Sequence, residues 1–302
     1  MEQKQKIPAN PGDANRITRE YLDSLRIEMR HLDNVKPSTK MELYGRTYDT
    51  PVMMAAFSHL AGFHYHDDGM AEIARAALKA NAVNWAGMGS EEELEHILST
   101  GADTIKIIKP YRDNERIFQK IDHAQRAGAL AVGMDIDHSF NRAGEYDKVF
   151  DDEMRPKTLD ELKSFVKATS LPFIVKGILS VQDAVKCARA GVQGIVVSHH
   201  HGIMEYAVPP LMILSRIVEA VGSEMPIFVD CGIATGYDAF KALALGATAV
   251  CVGRAVLDPL KESGAEGASK YILQMTRELA GVMARTGSPD IRHIDRSAIW
   301  GG

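Results

Sequence analysis

Three histidines stand in a row, His199, His200 and His201, directly after the apolar run GVQGIVVS (191–198). Imidazole can take and give a proton near neutral pH, and it also ligates transition metals. Carboxylates follow a second apolar run in the same way: Asp135, then Asp137 beside His138. A histidine oriented by an aspartate is a general base. Two of these imidazoles with Asp135 or Asp137 equally make an acceptable N/O metal set, and a polar loop facing solvent is the third reading of the run. Adjacent residues on an extended segment point alternately, so His199 and His201 are expected to share a direction and His200 to oppose them. Other polar groups stand where apolar stretches stop: Lys109, Lys176, Ser198, Asp230, and Arg254 beside Gly253. The glycine-rich segment DCGIATGYD (230–238) opens a helix-like stretch. Backbone N–H groups at such a helix start, with a guanidinium close by, suit a phosphate.

Something must bring these groups together, and a repeated unit supplies it. Five times a helix-like stretch ends in Gly or Asn and runs straight into an apolar strand: residues 77–87, 97–108, 124–135, 187–198 and 241–253. Gly or Asn accepts positive φ and stops the helix. The following strands are short and mostly not alternating, as in a parallel sheet buried on both faces. With TPVMMAA (50–56), LPFIVKG (171–177) and MPIFVDCG (225–232) they make eight strands separated by helices. Eight such units predict an α/β chain forming a (β/α)8 TIM barrel, rather than a doubly wound sheet. In that fold chemistry sits at the C-terminal strand ends, where the polar residues fall. The first strand is expected to end in Ala55 and Ala56, the second at Asn84. Residues 15–33 read as an amphipathic helix and 41–51 as a hairpin closing the barrel bottom. The chain thus divides into residues 1–49 and a barrel over 50–302. The long connection 135–161 is read as a lid. His64 and His66 are read as a loop and helix-cap region, and Cys231 and Cys251 as small core fillers.

Composition limits the partners. The 302 residues are 45% hydrophobic and 25% charged, with net charge −5. A weakly acidic chain without a basic tail lacks the electrostatic footprint of a nucleic-acid binder. No window approaches the roughly 18 apolar residues that cross a membrane. Three cysteines, none in a C-x-x-C pair, read as reduced thiols, and with a polar first segment they predict a cytoplasmic protein that acts on a small molecule.

The segments LPFIVKGILSVQDAVKCARAGVQGIVVSHHHG (171–202) and PIFVDCGIATGYDAFKALALGATAVCVGRAV (226–256) resemble the FMN-dependent α-hydroxy acid oxidases and dehydrogenases, the glycolate oxidase-like family. The ordered set V-K-G, V-S-x-H, D-x-G-I, F-K-A-L-A-L-G-A and G-R carries the likeness, and weaker similarity covers most of the chain, as in a divergent member. The resemblance implies FMN at the barrel mouth. Lys176 would lie by the flavin N1/O2 edge, Ser198 and Asn84 would hydrogen-bond the isoalloxazine, and Ala55 and Ala56 would allow close backbone approach. Asp230, Gly232, Gly253 and Arg254 would hold the ribityl phosphate. His200 matches the catalytic base and Asp135 the carboxylate that pairs with it.

Departures from the family pattern bear on the substrate. Ile203 stands where the family has the arginine that anchors a substrate carboxylate. Lys109 stands in place of an active-site tyrosine, Ile107 of a glutamine, Gly133 of a threonine and Ala234 of the phosphate-loop arginine. An isoleucine cannot replace an arginine–carboxylate fork. The expected activity is an FMN-dependent oxidoreductase with catalytic His200, Asp135 and Lys109, acting on a substrate other than a simple 2-hydroxy acid. The alternatives are a non-redox flavin enzyme resembling type 2 isopentenyl diphosphate isomerase, and a metal-dependent barrel lyase or hydrolase. The resemblance also implies a homo-oligomer, with a tetramer as one form.

Overall fold

All eight apolar stretches become strands of one parallel sheet: β1 (Val52–Met54), β2 (Asn84–Ala86), β3 (Thr104–Ile108), β4 (Ala131–Asp135), β5 (Phe173–Ile178), β6 (Ile195–Val197), β7 (Ile227–Val229) and β8 (Ala249–Val252). The computed structural model describes residues 10–60 and 67–301; His64 and His66 lie outside them. From β2 to β8 each strand pairs with its sequence neighbour, and β8 pairs with β1. Closure comes from the Met54 N–H, which donates to the Val83 carbonyl at 3.1 Å, and from a parallel bridge between Phe57 and Ala86. The result is the (β/α)8 barrel that the repeat predicts.

The helices follow from local signals. At the five junctions the stop residues all take positive φ: Asn81, Gly101, Gly128, Gly191 and Gly246. Helix starts are capped by side chains: Ser90 before α3 (Glu91–Ser99), Asp113 before α4 (Asn114–Arg126), Ser180 before α6 (Val181–Ala190). Thr158 before α5 (Leu159–Lys167) and Thr235 before α8 (Gly236–Ala244) complete full capping boxes. These satisfy N–H groups that a helix start otherwise leaves bare.

Two hydrophobic layers result. Met53, Trp85, Ile105, Ile107, Ile174, Val196 and Phe228 fill the barrel interior. Their neighbours in sequence, such as Val52, Met54, Val132, Val175 and Val197, face the helices. The strand period of two therefore fixes which side chains reach the mouth: continuing inward from Ile107, Ile174, Val196 and Phe228 are Lys109, Lys176, Ser198 and Asp230. The hairpin Met41–Leu43 with Arg46–Tyr48 pairs as expected, and Met41, Leu43 and Tyr48 plug the opposite end.

The N-terminal helix is shorter than its periodicity predicts. Helix α1 (Ala14–Ser24) stops at Leu25, and Arg26–Ile27 pair antiparallel with Ile299–Trp300. A ladder partner from the far end of the sequence overrides the local helical pattern. Helix α1 lies over the loops after β6, β7 and β8, so it borders the barrel mouth.

Candidate active site

The strand ends converge on a cavity of about 390 Å³. Small residues form part of its wall: Ala55 and Ala56 after β1, Gly232 after β7, and Gly253 after β8. Charged and titratable groups form another part, among them Lys176, Asp230, His200 and Arg254. Two further cavity residues come from α1, Asn15 and Arg19. Arg19 donates to the Gly232 carbonyl at 3.1 Å and forks onto Asp238 at 2.9 and 3.1 Å. Asn15 accepts from Arg254 at 3.0 Å. The sequence reading treats Arg19 and Asn15 only as the polar face of a helix. Their i, i+4 spacing is the one signal that both would meet the same surface.

Asp135 is the electrostatic centre of the inner wall, 5% exposed. It accepts from Lys109 Nζ at 2.8 Å and Lys176 Nζ at 3.4 Å, and lies 3.3 Å from His200 Nδ1. Burial alone would raise its pKa, but Lys176, His200 and Lys109 hold it well below the usual carboxylate range. Lys176, 9% exposed, stays charged: burial opposes the ammonium, and Asp135, Asp230 and Asp137 overcome it. Lys176 also contacts Ser198 Oγ at 3.4 Å and His200 Nδ1 at 3.3 Å.

The histidine run is a turn, not an extended segment, with φ of +45° at His200 and +59° at His201. His199 is buried; its Nδ1 accepts from the Gly202 N–H at 2.9 Å, so its Nε2 donates to Thr18 Oγ1 at 2.8 Å. His201 meets Asn15 on the same helix at 2.8 Å. Both fasten the loop to α1, while His200 turns the other way. Its Nδ1 lies 2.8 Å from Asp137 Oδ1, and its Nε2 lies 3.1 Å from His138 Nε2. Burial lowers the His200 pKa, as does Lys176, but Asp135 and the hydrogen bonds to Asp135 and Asp137 outweigh both. The pKa is pushed up to about 9. Asp137 moves upward through burial first and the Asp135 charge second.

Gly177 gives Asp137 its room. Its φ is +95°, and an added Cβ would stand 2.6 Å from Asp137 Oδ2. At Gly133, where the resemblance leads one to expect threonine, a Cβ would fall 2.3 Å from the Ile174 carbonyl oxygen. The close approach of β4 to β5 therefore requires glycine there.

Beyond His200 a second cavity, of about 790 Å³, opens under the 135–161 connection. That connection is ordered by a 3-10 turn at Asp137–Ser139 and a short ladder between Lys148–Val149 and Asp152–Glu153. Asp137, His138, Arg142, Asp147 and Ile203 line the cavity. Arg142 and Asp147 escaped the sequence reading, since neither lies in a periodic segment.

Two expectations need correction. Asn84 opens β2 rather than ending it, and its side chain donates to Thr104 Oγ1 at 3.1 Å. Val83 and Trp85 on either side point into the barrel, so Asn84 faces the helix layer, away from the mouth. Cys231 is no core filler: it lines the cavity at φ +64° and its Sγ donates to Asp230 Oδ1 at 3.0 Å. Burial pushes this thiol up to about 12, so it stays protonated. Cys251 sits in the inner layer as expected.

Ligand atoms of Asp135, Asp137, His138 and His200 fall within 4.8 Å of one another, which assembles the donor set of the metal alternative. The same atoms are committed to one another and to the Lys109 and Lys176 ammonium groups, whose charges stand where a cation would be attracted. The cavity next to them fits FMN better. Its volume is in the range of small-molecule sites, and its cations and small residues suit a phosphate and a close flat ring.

Comparison with known proteins points the same way. The FMN-dependent dehydrogenase family matches residues 9–155 and 139–301. A peroxisomal (S)-2-hydroxyacid oxidase of Arabidopsis thaliana is 29% identical over 303 residues, which cover 89% of this chain and 82% of that protein. 4-Hydroxymandelate oxidase of Amycolatopsis orientalis is 29% identical over 312 residues, covering 92% of this chain and 86% of that protein. A mandelate oxidase variant solved with an FMN monooxide adduct superposes with a TM-score of 0.86 at 29% identity, covering 95% of this chain and 91% of that one. No helix among the described residues is long and apolar enough to cross a membrane.

Proposed function

The chain belongs to the FMN-dependent dehydrogenase family and is an FMN oxidoreductase; from that premise we propose that it oxidises a small hydroxylated substrate, with His200 as the base. Bound FMN supplies the acceptor for a hydride equivalent. Lys176, which stays charged, would hold the pyrimidine edge of bound FMN, where reduction develops negative charge. Ser198, held by Lys176 and by the His200 N–H, offers a hydroxyl beside it. Ala55 and Ala56 keep the wall thin. Asp230 would hold the ribityl chain, and Gly232, Gly253 and Arg254 would hold the phosphate. Arg19 supplies a second cation at that end, from α1, where Ala234 leaves the loop without one.

His200 draws the substrate proton and Asp135 stabilises the imidazolium that results. The observation that carries this reading is the placement of His200: it borders the FMN cavity and lies 3.3 Å from Asp135. Lys109 acts through Asp135, to which it is bound, and does not bind substrate. Ile203 removes one anchor for a carboxylate, and Arg142 is the guanidinium in the cavity that Ile203 lines. A substrate anion entering there meets Arg142 from the lid side.

The test is direct. The purified protein, loaded with FMN, is mixed without oxygen with a panel of hydroxylated acids, esters and amides that includes glycolate and (S)-mandelate. Loss of the visible flavin band with at least one of them supports the reading. A loaded protein that none of the panel bleaches counts against it.

A further inference from the structure

Oxidation by His200 with Asp135 has no use for His138, yet His138 occupies the space against the His200 ring. The two rings meet edge to face, centroids 4.3 Å apart at 81°. Their Nε2 atoms are 3.1 Å apart, a contact that requires one hydrogen between them. The neighbours decide where it sits. His138 Nδ1 lies 3.0 Å from Asp147 Oδ2, and a carboxylate only accepts, so that nitrogen carries hydrogen. His200 Nδ1 faces Asp137 and Asp135 and carries hydrogen for the same reason. With His138 neutral, the shared hydrogen belongs to His200 Nε2. The resting pair is then an imidazolium at His200 and a neutral imidazole at His138.

The charges around the two rings agree. Asp135 and the Asp137 contact hold His200 protonated against burial and Lys176. His138 is moved the other way, by burial first and by the Lys109 and His200 charges next, against Asp147 and Asp135. A base that rests protonated cannot take a substrate proton until it loses its own.

Resting on the oxidation reading above, we propose that His138 and Asp147 form an acceptor dyad that takes the resting proton of His200 and passes it to water. The N–H bond at His200 Nε2 breaks and one forms at His138 Nε2. The positive charge moves to His138, where Asp147 pairs with it. His200 then has a bare Nε2 and accepts the substrate proton. His138 gives up its Nε2 proton to water in the lid cavity, which both members of the dyad line, and returns to its starting tautomer. One proton leaves per turnover and no other reactant is needed. Asp147 is a positioning residue, and the ring of His138 is the carrier.

The test uses the full chain loaded with FMN and labelled with nitrogen-15 at histidine. Ring nitrogen shifts at neutral pH are expected to show His200 protonated on both nitrogens and His138 on Nδ1 alone. A His138 protonated on Nε2 with a bare Nδ1, or a neutral His200, overturns the proposal, whatever the substrate. Kinetics give the second arm, with whichever acid, ester or amide of the panel bleaches the wild type as the probe. A carrier sets how fast the proton leaves His200, not the fraction deprotonated at equilibrium. His138→Gln should therefore bleach more slowly than the wild type at neutral pH, where His200 must first lose its proton, and match it on the alkaline side of about 9. Added imidazole should restore the neutral-pH rate. A loss of equal size at every pH, with no response to imidazole, means that His138 is only structural and overturns the proposal. FMN uptake and bleaching of the wild type are read separately. A wild type that fails there removes the oxidation reading, while the nitrogen shifts still decide the pairing of the two rings.

Discussion

Replacing Asp135 by asparagine keeps the shape of the side chain and removes the charge on which three cations converge. The distances set the size of the effect. A unit charge 3.3 Å from His200 Nδ1, at an effective dielectric constant of about 20, attracts the imidazolium by roughly 5 kcal/mol. The lift of His200 from 6.5 to about 9 is worth roughly 3 kcal/mol. Asp135 alone is therefore large enough to account for it. Without Asp135, only Asp137, 2.8 Å from the same nitrogen, opposes burial and Lys176, and His200 should titrate below its wild-type value of about 9. Two ammonium groups also lose a carboxylate, at 2.8 and 3.4 Å, and Lys176 is left with Asp230 at 3.7 Å. Removing one member of a buried ion pair costs about 3–5 kcal/mol, so the variant should also unfold at lower denaturant. The assay is a titration of the His200 ring nitrogens by NMR, beside urea unfolding at fixed pH. Asparagine at 135 with His200 still near 9 would refute the role given to Asp135 and leave the lift to Asp137, 2.8 Å from the same nitrogen.

Other outcomes follow from the same contacts. If Arg254 holds the cofactor phosphate as proposed, Arg254→Ala removes a charge-assisted contact worth about 1.5–3 kcal/mol, so FMN should bind roughly ten- to a hundredfold more weakly by fluorescence titration; unchanged affinity would place the phosphate elsewhere. Gly177→Ala forces a Cβ to within 2.6 Å of Asp137 Oδ2 at a φ of +95°. A stability loss of about 1–3 kcal/mol should appear, with His200 titrating lower as Asp137 is pushed off it. In the FMN-free protein, His200 contributes stability because its folded pKa lies above its unfolded one. That contribution is complete below 6.5 and fades as pH rises towards about 9, a fall of roughly 3 kcal/mol that urea unfolding across that range would detect and that Asp135→Asn should shrink.

The barrel was legible because its signals are local. A parallel strand buried on both faces reads as an apolar run, and the glycine or asparagine before it reads as the helix stop. The inward side chains past those runs, Lys109, Lys176, Ser198 and Asp230, were legible for the same reason. Asn84 was not: β2 has three residues, and an error of one residue in such a short strand reverses the face on which every side chain falls. The end of α1 at Ser24 depends on Ile299 and Trp300, a partner no local window contains. The directions of the three histidines depend on the turn at His200 and His201, whose positive φ values no glycine announced. Arg19 matters through contacts made across the fold, Asp147 through His138 in the same connection and Arg142 through the cavity it lines, and nothing in their own segments distinguishes them from surface charge.

The account turns on position 200. Wild type and His200→Gln, each loaded with FMN to the same extent, are mixed anaerobically with whichever panel compound bleaches the wild type. Rapid loss of the flavin band in the wild type, with little or none in the variant, is the predicted result. Equal bleaching in both would mean that another group takes the substrate proton, and His200 as the base would have to be abandoned.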